Sequence, residues 1–280
     1  MNATVLVDNE ATGSCSSEWG LSVLIEENGM KVLLDTGATG MFAENAEILK
    51  IDLREVDAAV LSHAHFDHSG GFDEFFAINS KAKLYMHESA SEDCYSQKPE
   101  GLEYIGIPLG VLERHRQRIE RVSETRKIAD GFWILPHSTP ELSKVGKAAG
   151  MLRRKAGGGG EPTEEDMVPD DFSHEVSLVV ELAGGGIAVF SSCSHAGADV
   201  VVREAQKAWP QERIRAVVGG FHLYQTPEPQ VREFARRLKE TGVELVCTGH
   251  CTGAEALRVL TEELGQDVVR PTAAGLTIEL

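Results

Sequence analysis

The residues of this chain best suited to chemistry lie in one short run, residues 62–68, with the sequence SHAHFDH. Three imidazoles and one carboxylate fall within six residues there, a density typical of a metal site. His63 and His65 are two residues apart, so an extended backbone directs both side chains to the same side. Asp67 and His68 follow in a turn, where they can face a second ion. The run therefore predicts binding of divalent metal.

Three further histidines occupy equivalent places in the last third of the chain. Each follows a short apolar stretch and precedes a segment of helical character; they are His195, His222 and His250. In α/β sheets the carboxyl ends of strands meet at one rim, where ligands bind. We therefore expect the three turns to share a rim, with His222 contacting the substrate or a metal-binding residue.

The elements that must position these residues are visible in the first half of the chain. Apolar stretches at residues 20–26 and 31–34 flank an Asn-Gly turn, which predicts a hairpin because that turn favours positive φ. Residues 56–61 predict a buried strand that leads into the metal-binding run. The sequence contains no phosphate-binding Gly-x-x-x-x-Gly-Lys loop, no dinucleotide fingerprint and no Gly-x-Ser-x-Gly elbow.

The composition is that of a soluble globular protein, with 42% hydrophobic and 25% charged residues among 280. A formal net charge of −17 argues against nucleic acid and anionic membrane as partners, but bound cations could still recruit an anionic substrate. There is no signal-peptide pattern and no apolar run near the roughly 20 residues of a membrane helix. The five cysteines form no disulfide framework, so we expect a cytoplasmic protein.

Residues 144–171 differ in character from the rest of the chain. The segment begins with basic residues, passes four consecutive glycines and ends in acidic residues. Glycines disfavour a fixed backbone, which predicts a flexible insertion within one domain of residues 1–280. Two interpretations stay open: a tolerated surface loop, or a lid whose Arg153, Arg154 and Lys155 approach an anionic substrate.

These features together resemble a known family. Residues 35–37 (DTG), the His-x-His-x-Asp-His run and residues 249–250 (GH) resemble the metallo-β-lactamase superfamily. Seven blocks are similar to its dihydropterin-methyl-ribofuranosylaminobenzene-phosphate synthase-like branch: 8–10 (DNE), 19–22 (WGLS), 62–71 (SHAHFDHSGG), 174–175 (HE), 192–197 (SCSHAG), 219–223 (GGFHL) and 250–253 (HCTG). The resemblance implies an α/β fold, the αββα sandwich, in which two mixed sheets pack face to face, helices lie outside and metals bind at one edge.

The resemblance also implies how two divalent ions are held. His63, His65 and one further histidine would bind the first ion, and Asp67, His68 and His250 would bind the second. Two ions about 3.5–4 Å apart share a water and acidify it, so a metal-bound hydroxide is the expected nucleophile. Asp67 would then both bind metal and orient or deprotonate that nucleophile.

The third ligand of the first ion is left open by the sequence. His195 is the first choice, and the alternatives are Cys193 in the same turn and His137 after a mid-chain strand. Asp35 is expected to hold a ligand histidine by its other ring nitrogen. Zinc is the default ion for such ligands, and iron and manganese bind similar sets.

The predicted activity is that of a metal-dependent hydrolase of a small, phosphorylated substrate. Alternatives on the same scaffold are a pterin-related condensing synthase, a di-iron oxidoreductase and a metal-containing binding protein of low turnover. The chain departs from the branch at Trp19, where many members have histidine, at residues 135–141, and in its glycine-rich stretch 157–171. The last two departures fall where substrate-contacting loops are expected; the sequence leaves the substrate and the oligomeric state open.

Overall fold

The computed structural model describes residues 1–155 and 160–280. Its strands, in chain order, are β1 (Asn2–Val7), β2 (Ser22–Glu27), β3 (Met30–Leu34), β4 (Ala58–Val60), β5 (Lys83–His87), β6 (Cys94–Lys98), β7 (Gly101–Tyr104), β8 (Ile119–Val122), β9 (Arg126–Ala129), β10 (Phe132–Pro136), β11 (Met151–Arg154), β12 (Met167–Pro169), β13 (Val176–Glu181), β14 (Ile187–Phe190), β15 (Ile214–Gly219), β16 (Leu245–Thr248), β17 (Val269–Pro271) and β18 (Thr277–Glu279). Its α-helices are α1 (Met41–Ile48), α2 (Phe66–Ser69), α3 (Phe72–Ile78), α4 (Val111–Arg114), α5 (Ser143–Ala149), α6 (Ala198–Ala208), α7 (Glu228–Glu240) and α8 (Ala254–Leu264).

The strands form two seven-stranded sheets and one smaller sheet. The orders are β18-β1-β2-β3-β4-β5-β8, β17-β16-β15-β14-β13-β10-β9 and, for the smaller sheet, β12-β11-β6-β7. In each large sheet one part is antiparallel and the other parallel, as in the parallel pairs β3–β4 and β14–β15. Both large sheets are therefore mixed, and the carboxyl ends of their parallel strands supply the loops discussed below.

The predicted hairpin is formed by β2 and β3. Its two strands are antiparallel, with Leu24 opposite Leu33. Asn28 and Gly29 at the turn have φ values of 51° and 77°, the left-handed conformation that a tight hairpin turn requires. The sequence signal at this turn is therefore confirmed.

Apolar side chains fill three layers. Between the two large sheets, residues such as Ile25 and Val60 from one sheet pack with Phe132 and Phe190 from the other. Outside the first sheet, α1 and α3 bury side chains such as Phe42 against it. Each such side chain contributes about 1.5–3 kcal/mol when fully removed from water.

Helices α6, α7 and α8 cover the outer face of the second sheet. In α6, the buried residues Ala198, Val201, Val202 and Ala205 recur at the spacing of one helical face. This arrangement, with helices outside two facing sheets, confirms the predicted αββα sandwich. Among the described residues, none of the helices has the length and apolar character needed to cross a bilayer.

The segment at 144–171 differs from a plain loop in its described part. It contains α5, β11 and β12, and β11 pairs with both β12 and β6, so the segment completes the smaller sheet. Gly150, with φ 67°, ends α5 before β11 begins. Pairing with β6, far away in the sequence, could not be inferred from the local glycine content. Gly157 and the two residues after it lie outside the described residues, so the expected flexibility there stays a prediction.

Candidate metal centre

The histidine-rich run begins just after β4 and continues into the short helix α2. His65 has an extended backbone (φ −100°, ψ 151°) at the start of α2, and the helix then carries Asp67 and His68. His195 follows β14, and His250 follows β16 at the same end of the second sheet. The loops of the two sheets meet here, and they bring together all six residues expected to bind metal.

The first group consists of His63, His65 and His195. One ring nitrogen of each lies within 4.8 Å of those of the other two. Their Nε2 atoms are all buried and have no hydrogen-bond partner among the described residues. Buried imidazole nitrogens that make no hydrogen bond are costly unless a ligand satisfies them, and a divalent cation is such a ligand.

The second group consists of Asp67, His68 and His250. Asp67 Oδ2 lies 3.7 Å from His68 Nε2 and 3.5 Å from His250 Nε2. Cys193 joins this group, because its Sγ lies 3.3 Å from His68 Nε2 and 3.6 Å from His250 Nε2. One carboxylate, two imidazoles and a thiol form a donor set that suits zinc and similar divalent ions.

Cys193 also lies close to the first group. Its Sγ forms a set within 4.8 Å with nitrogens of His63 and His68, one from each group. The sulfur atom of Cys193 is therefore close enough to contact an ion in either group. From the sequence, Cys193 was only an alternative ligand for the first ion. Cys251 lies beside it, with the two sulfur atoms 3.5 Å apart.

Asp35 positions His68. Its Oδ2 lies 2.8 Å from His68 Nδ1, and it also accepts hydrogen bonds from the Ser62 backbone N–H, the Ser62 hydroxyl and the Ser192 hydroxyl, at 2.6–2.7 Å. Because a buried carboxylate accepts the Nδ1 proton, the neutral form of the His68 ring carries its lone pair on Nε2, which faces Asp67. This is the contact predicted for Asp35.

Two other histidines are oriented in the same way. His250 Nδ1 lies 3.0 Å from Asn9 Oδ1, and His195 Nδ1 lies 3.3 Å from Glu175 Oε2. In each case an oxygen acceptor fixes the proton on Nδ1 and leaves Nε2 for a ligand. Asn9 and Glu175 both lie in blocks that resemble the branch, and no role for Asn9 was predicted from the sequence.

Burial and neighbouring charge set the protonation of the centre. Burial lowers the pKa of His65 to about 4 and holds the pKa of His63 well below its ordinary value, so both are neutral ligands at pH 7. Burial opposes charge on His68 as well, but the carboxylates of Asp67 and Asp35 outweigh it and raise its pKa to about 9. A cation that binds the second group therefore displaces a proton from His68.

The backbone around the centre is held in an uncommon conformation. Asp35, Ser194, His222 and His250 all have φ values between 45° and 59°, in the left-handed region that side chains other than glycine rarely adopt. Such residues cost about 1–3 kcal/mol each and cluster at functional sites. Here they mark the loops that carry the candidate ligands.

Two remaining candidates take different places. His222 lies beside the centre, with its ring 4.9 Å from that of His195, as expected for a contact at the edge of the site. His137 does not join the first group. Its Nδ1 lies 2.8 Å from Glu204 Oε2 and its Nε2 3.2 Å from the Ser177 hydroxyl, so both nitrogens are engaged elsewhere. The structure thus favours His195 over His137.

A buried polar cluster behind His65 was not found by sequence reasoning. His174 Nε2 lies 3.1 Å from Asp170 Oδ2, and His174 Nδ1 accepts a hydrogen bond from the Ala64 backbone N–H at 3.1 Å. Because Nδ1 is an acceptor here, the ring proton lies on Nε2 and is donated to Asp170. The cluster supports the backbone between His63 and His65.

A cavity of about 240 Å³ opens onto the centre. Its walls include Trp19, Lys98, Met151 and Tyr224. Lys98 and Met151 come from β6 and β11, so the smaller sheet covers one side of the site. The cavity is of a size for a small molecule or for one part of a larger one.

The basic residues at 153–155 do not line this cavity. Arg153 donates to Asp93 Oδ2 at 2.8 Å and to the Ser89 backbone carbonyl at 2.6 Å, and only 15% of its side chain is exposed. Lys155 donates to the Glu165 backbone carbonyl. The triplet is therefore engaged away from the cavity in this structure, whereas Lys98 is the lysine among the described residues of the cavity wall.

The chain is similar to one known protein family and to several individual proteins. The sequence model of the metallo-beta-lactamase superfamily matches residues 20–250. A Methanocaldococcus jannaschii protein, 7,8-dihydropterin-6-methyl-4-(beta-D-ribofuranosyl)-aminobenzene-5'-phosphate synthase, is 30% identical over 91% of this chain and 87% of its own length. The anti-Pycsar protein Apyc1 of Saccharibacillus brassicae is 41% identical over 46% of this chain and 52% of its own length.

A solved structure covers the whole chain. Tm1679, described as a metal-dependent hydrolase of the beta-lactamase superfamily, superposes with a TM-score of 0.82 and 29% identity, over 100% of this chain and 99% of its own. The similarity therefore extends through both large sheets and their helices.

Proposed function

Because the chain belongs to the metallo-beta-lactamase superfamily, we propose that it is a two-metal hydrolase of a small phosphate ester. Membership implies an enzyme that binds divalent metal and acts on a small molecule. The observation that most strongly supports two ions is the pair of adjacent donor groups, one of which has three buried Nε2 atoms that make no hydrogen bond to any described residue. Zinc is the proposed ion, because the donors are imidazole, carboxylate and thiol.

In this proposal His63, His65 and His195 hold one ion, and Asp67, His68 and His250 hold the other, with Cys193 in reach of both. Two divalent ions in such a site supply acidified water and neutralise charge on the oxygens of a displacement. Asp67 is the proposed proton acceptor. Although burial opposes its charge, the imidazoles of His68 and His250 hold the pKa of its carboxyl below the ordinary value. It stays ionised, orients the attacking water and accepts its proton.

The cavity wall supports an anionic substrate. Lys98, whose side chain is half exposed, is paired with Glu103 at 3.5 Å. An exposed pair of this kind is weak, so Lys98 can exchange it for a phosphate oxygen. Water then forms the new bond to phosphorus, the bond to the ester oxygen breaks, and the leaving alcohol takes up the proton that Asp67 accepted from the water.

A second candidate is a condensing synthase. It is favoured by the Methanocaldococcus jannaschii relative, which is named as a synthase and matches 91% of this chain. A synthase would form a bond between a pterin and an aminobenzene compound while a leaving group departs from one of the two, and it would keep the ribose 5'-phosphate in its product. A hydrolase would instead release inorganic phosphate, so the two activities are separable by one assay.

The test starts from protein reconstituted with zinc, manganese or iron. Elemental analysis should find close to two equivalents of metal, and a panel of phosphate esters should yield inorganic phosphate. Asp67→Asn should reduce turnover at least about a hundredfold while the circular dichroism spectrum is unchanged. Asp130→Asn, at an exposed position paired with Lys127, is the matched control and should behave as wild type.

Three results would contradict the proposal or part of it. Protein that takes up none of the three metals would remove the basis of the site. Full activity of Asp67→Asn would place the proton acceptor on another residue. Consumption of both condensation substrates without phosphate release would favour the synthase.

A further inference from the structure

Trp19 is unusual because nearly half of it is exposed although its ring is hydrogen-bonded to the centre. About 45% of the residue is accessible, but its indole Nε1 donates a hydrogen bond to Asp67 Oδ2 at 3.0 Å. That same oxygen faces the Nε2 atoms of His68 and His250. The indole therefore touches the oxygen that is best placed to bind the second ion.

The backbone around Trp19 is fixed against Asp67. The Leu21 backbone N–H donates to the Asp67 carbonyl at 3.2 Å. At Gly20 an added Cβ would lie 2.7 Å from the same carbonyl, so the two segments can approach this closely only because the residue is glycine. Exposure of the ring thus does not mean that the ring is free to move.

The segment that carries Trp19 is also connected to His250. The Gly20 backbone N–H donates to Asn9 Oδ1 at 3.2 Å, and the same Oδ1 accepts from His250 Nδ1 at 3.0 Å. The Trp19 ring lies 5.5 Å from the His250 ring and meets Tyr224 edge to face at 5.3 Å. One short segment is therefore coupled to two of the three residues in the second group.

We propose that Trp19 is a positioning residue for the second metal: its N–H fixes the Asp67 carboxylate with Oδ2 toward His68 and His250. A neutral donor occupies one lone pair of Oδ2 and leaves the other for the ion. Without the donor, a carboxylate can rotate about its terminal bond, whose preference for one angle is weak. The inference rests on the proposed two-metal site.

The variants separate the N–H from the ring. Trp19→Phe keeps an aromatic ring and removes the donor, whereas Trp19→His keeps a donor on a smaller ring. Trp209→Phe is the matched control, because Trp209 packs against Trp133 away from the centre. Zinc binding is measured by competition with a chromophoric chelator, which resolves the first and second equivalents, and phosphate release gives kcat and KM.

Trp19→Phe should bind the second zinc equivalent at least about tenfold more weakly than wild type, because it loses a contact that orients a ligand. Its affinity for the first equivalent should be unchanged. Turnover at subsaturating zinc should fall, with KM close to wild type. Trp19→His should recover part of the affinity, and Trp209→Phe should match wild type in both equivalents.

If Trp19→Phe binds the second zinc equivalent as tightly as wild type, this inference alone is wrong. It is also wrong if Trp19→Phe and Trp19→His lose the same affinity for that equivalent, because the ring would then act only by packing. Wild-type protein that binds fewer than two equivalents would overturn the proposed metal site, and this inference with it.

Discussion

At the scale of single residues, the candidate ligands depend on hydrogen bonds from segments remote in the sequence. Asp35 is the clearest case, because one buried carboxylate accepts from His68, from Ser62 and from Ser192. The donors leave little freedom to the carboxylate, and the carboxylate in turn leaves little freedom to His68. A ligand held in this way loses less entropy when it binds an ion.

Asp35→Asn should therefore weaken the second metal site. An amide brings an N–H₂ group where four donors already point, so His68 loses its acceptor or must rotate. The expected result is a 10–100-fold lower affinity for the second zinc equivalent, measured by chelator competition. Ser192→Ala, which removes one donor to Asp35 but keeps the carboxylate, should lose far less; equal losses in the two variants would contradict a specific role for the charge.

The sequence indicated the candidate ligands that lie in one run better than the contacts between runs. His63, His65, Asp67 and His68 could be selected as candidates because their spacing itself encodes a shared face. Trp19 carried no such signal, because its bond to Asp67 exists only after two segments 48 residues apart have packed. His137 was a reasonable candidate by position, but its side chain is turned toward Glu204.

At the scale of elements, the smaller sheet is the part least visible from sequence. It joins β6 and β7 to β11 and β12, from segments separated by about 50 residues, and the residues between β11 and β12 read locally as a glycine-rich loop. The hairpin of β2 and β3 was predictable because its turn chemistry is local. Pairing between distant strands depends on tertiary packing that local composition does not encode.

Lys98 of this sheet, and not the basic triplet, should determine recognition of an anionic substrate. Lys98→Gln removes the cation on the cavity wall, so it should raise KM for a phosphate ester several-fold and weaken its salt dependence, with kcat little changed. Lys81→Gln, which alters an exposed lysine paired with Asp57, is the matched control. Steady-state kinetics at low and physiological ionic strength test this.

Arg153→Ala provides the contrast within the same experiment. Its guanidinium is paired with Asp93 and capped by a backbone carbonyl, so the substitution should lower thermal stability more than it changes KM. If Arg153→Ala raises KM and Lys98→Gln does not, the triplet acts on the substrate after all and the lid interpretation regains support.

At the scale of the whole molecule, the centre joins the two halves of the sandwich. His63, His65, Asp67 and His68 follow β4 of the first sheet, whereas His195 and His250 follow β14 and β16 of the second. Each proposed ion therefore takes ligands from both sheets. The two-sheet architecture was predictable from the family resemblance. The two sheets meet at the centre because the loops after β4, β14 and β16 all end there.

Metal removal should consequently destabilise the entire fold. An ion that binds only the native state at about 100 times its Kd adds about 2.7 kcal/mol, and each kcal/mol moves Tm by about 2–4 °C in domains of 150–250 residues. Chelation should lower Tm by roughly 5–10 °C for each such site, and added zinc should restore it, as measured by calorimetry with metal content determined in parallel. His195→Ala and His250→Ala should each lose part of the zinc-dependent increment, because each removes the second sheet's ligand to one ion. His115→Ala, which alters a histidine paired with Asp73 outside the centre, should keep the full increment. A Tm that does not change when the metal is removed would mean that the ions do not hold the two sheets together.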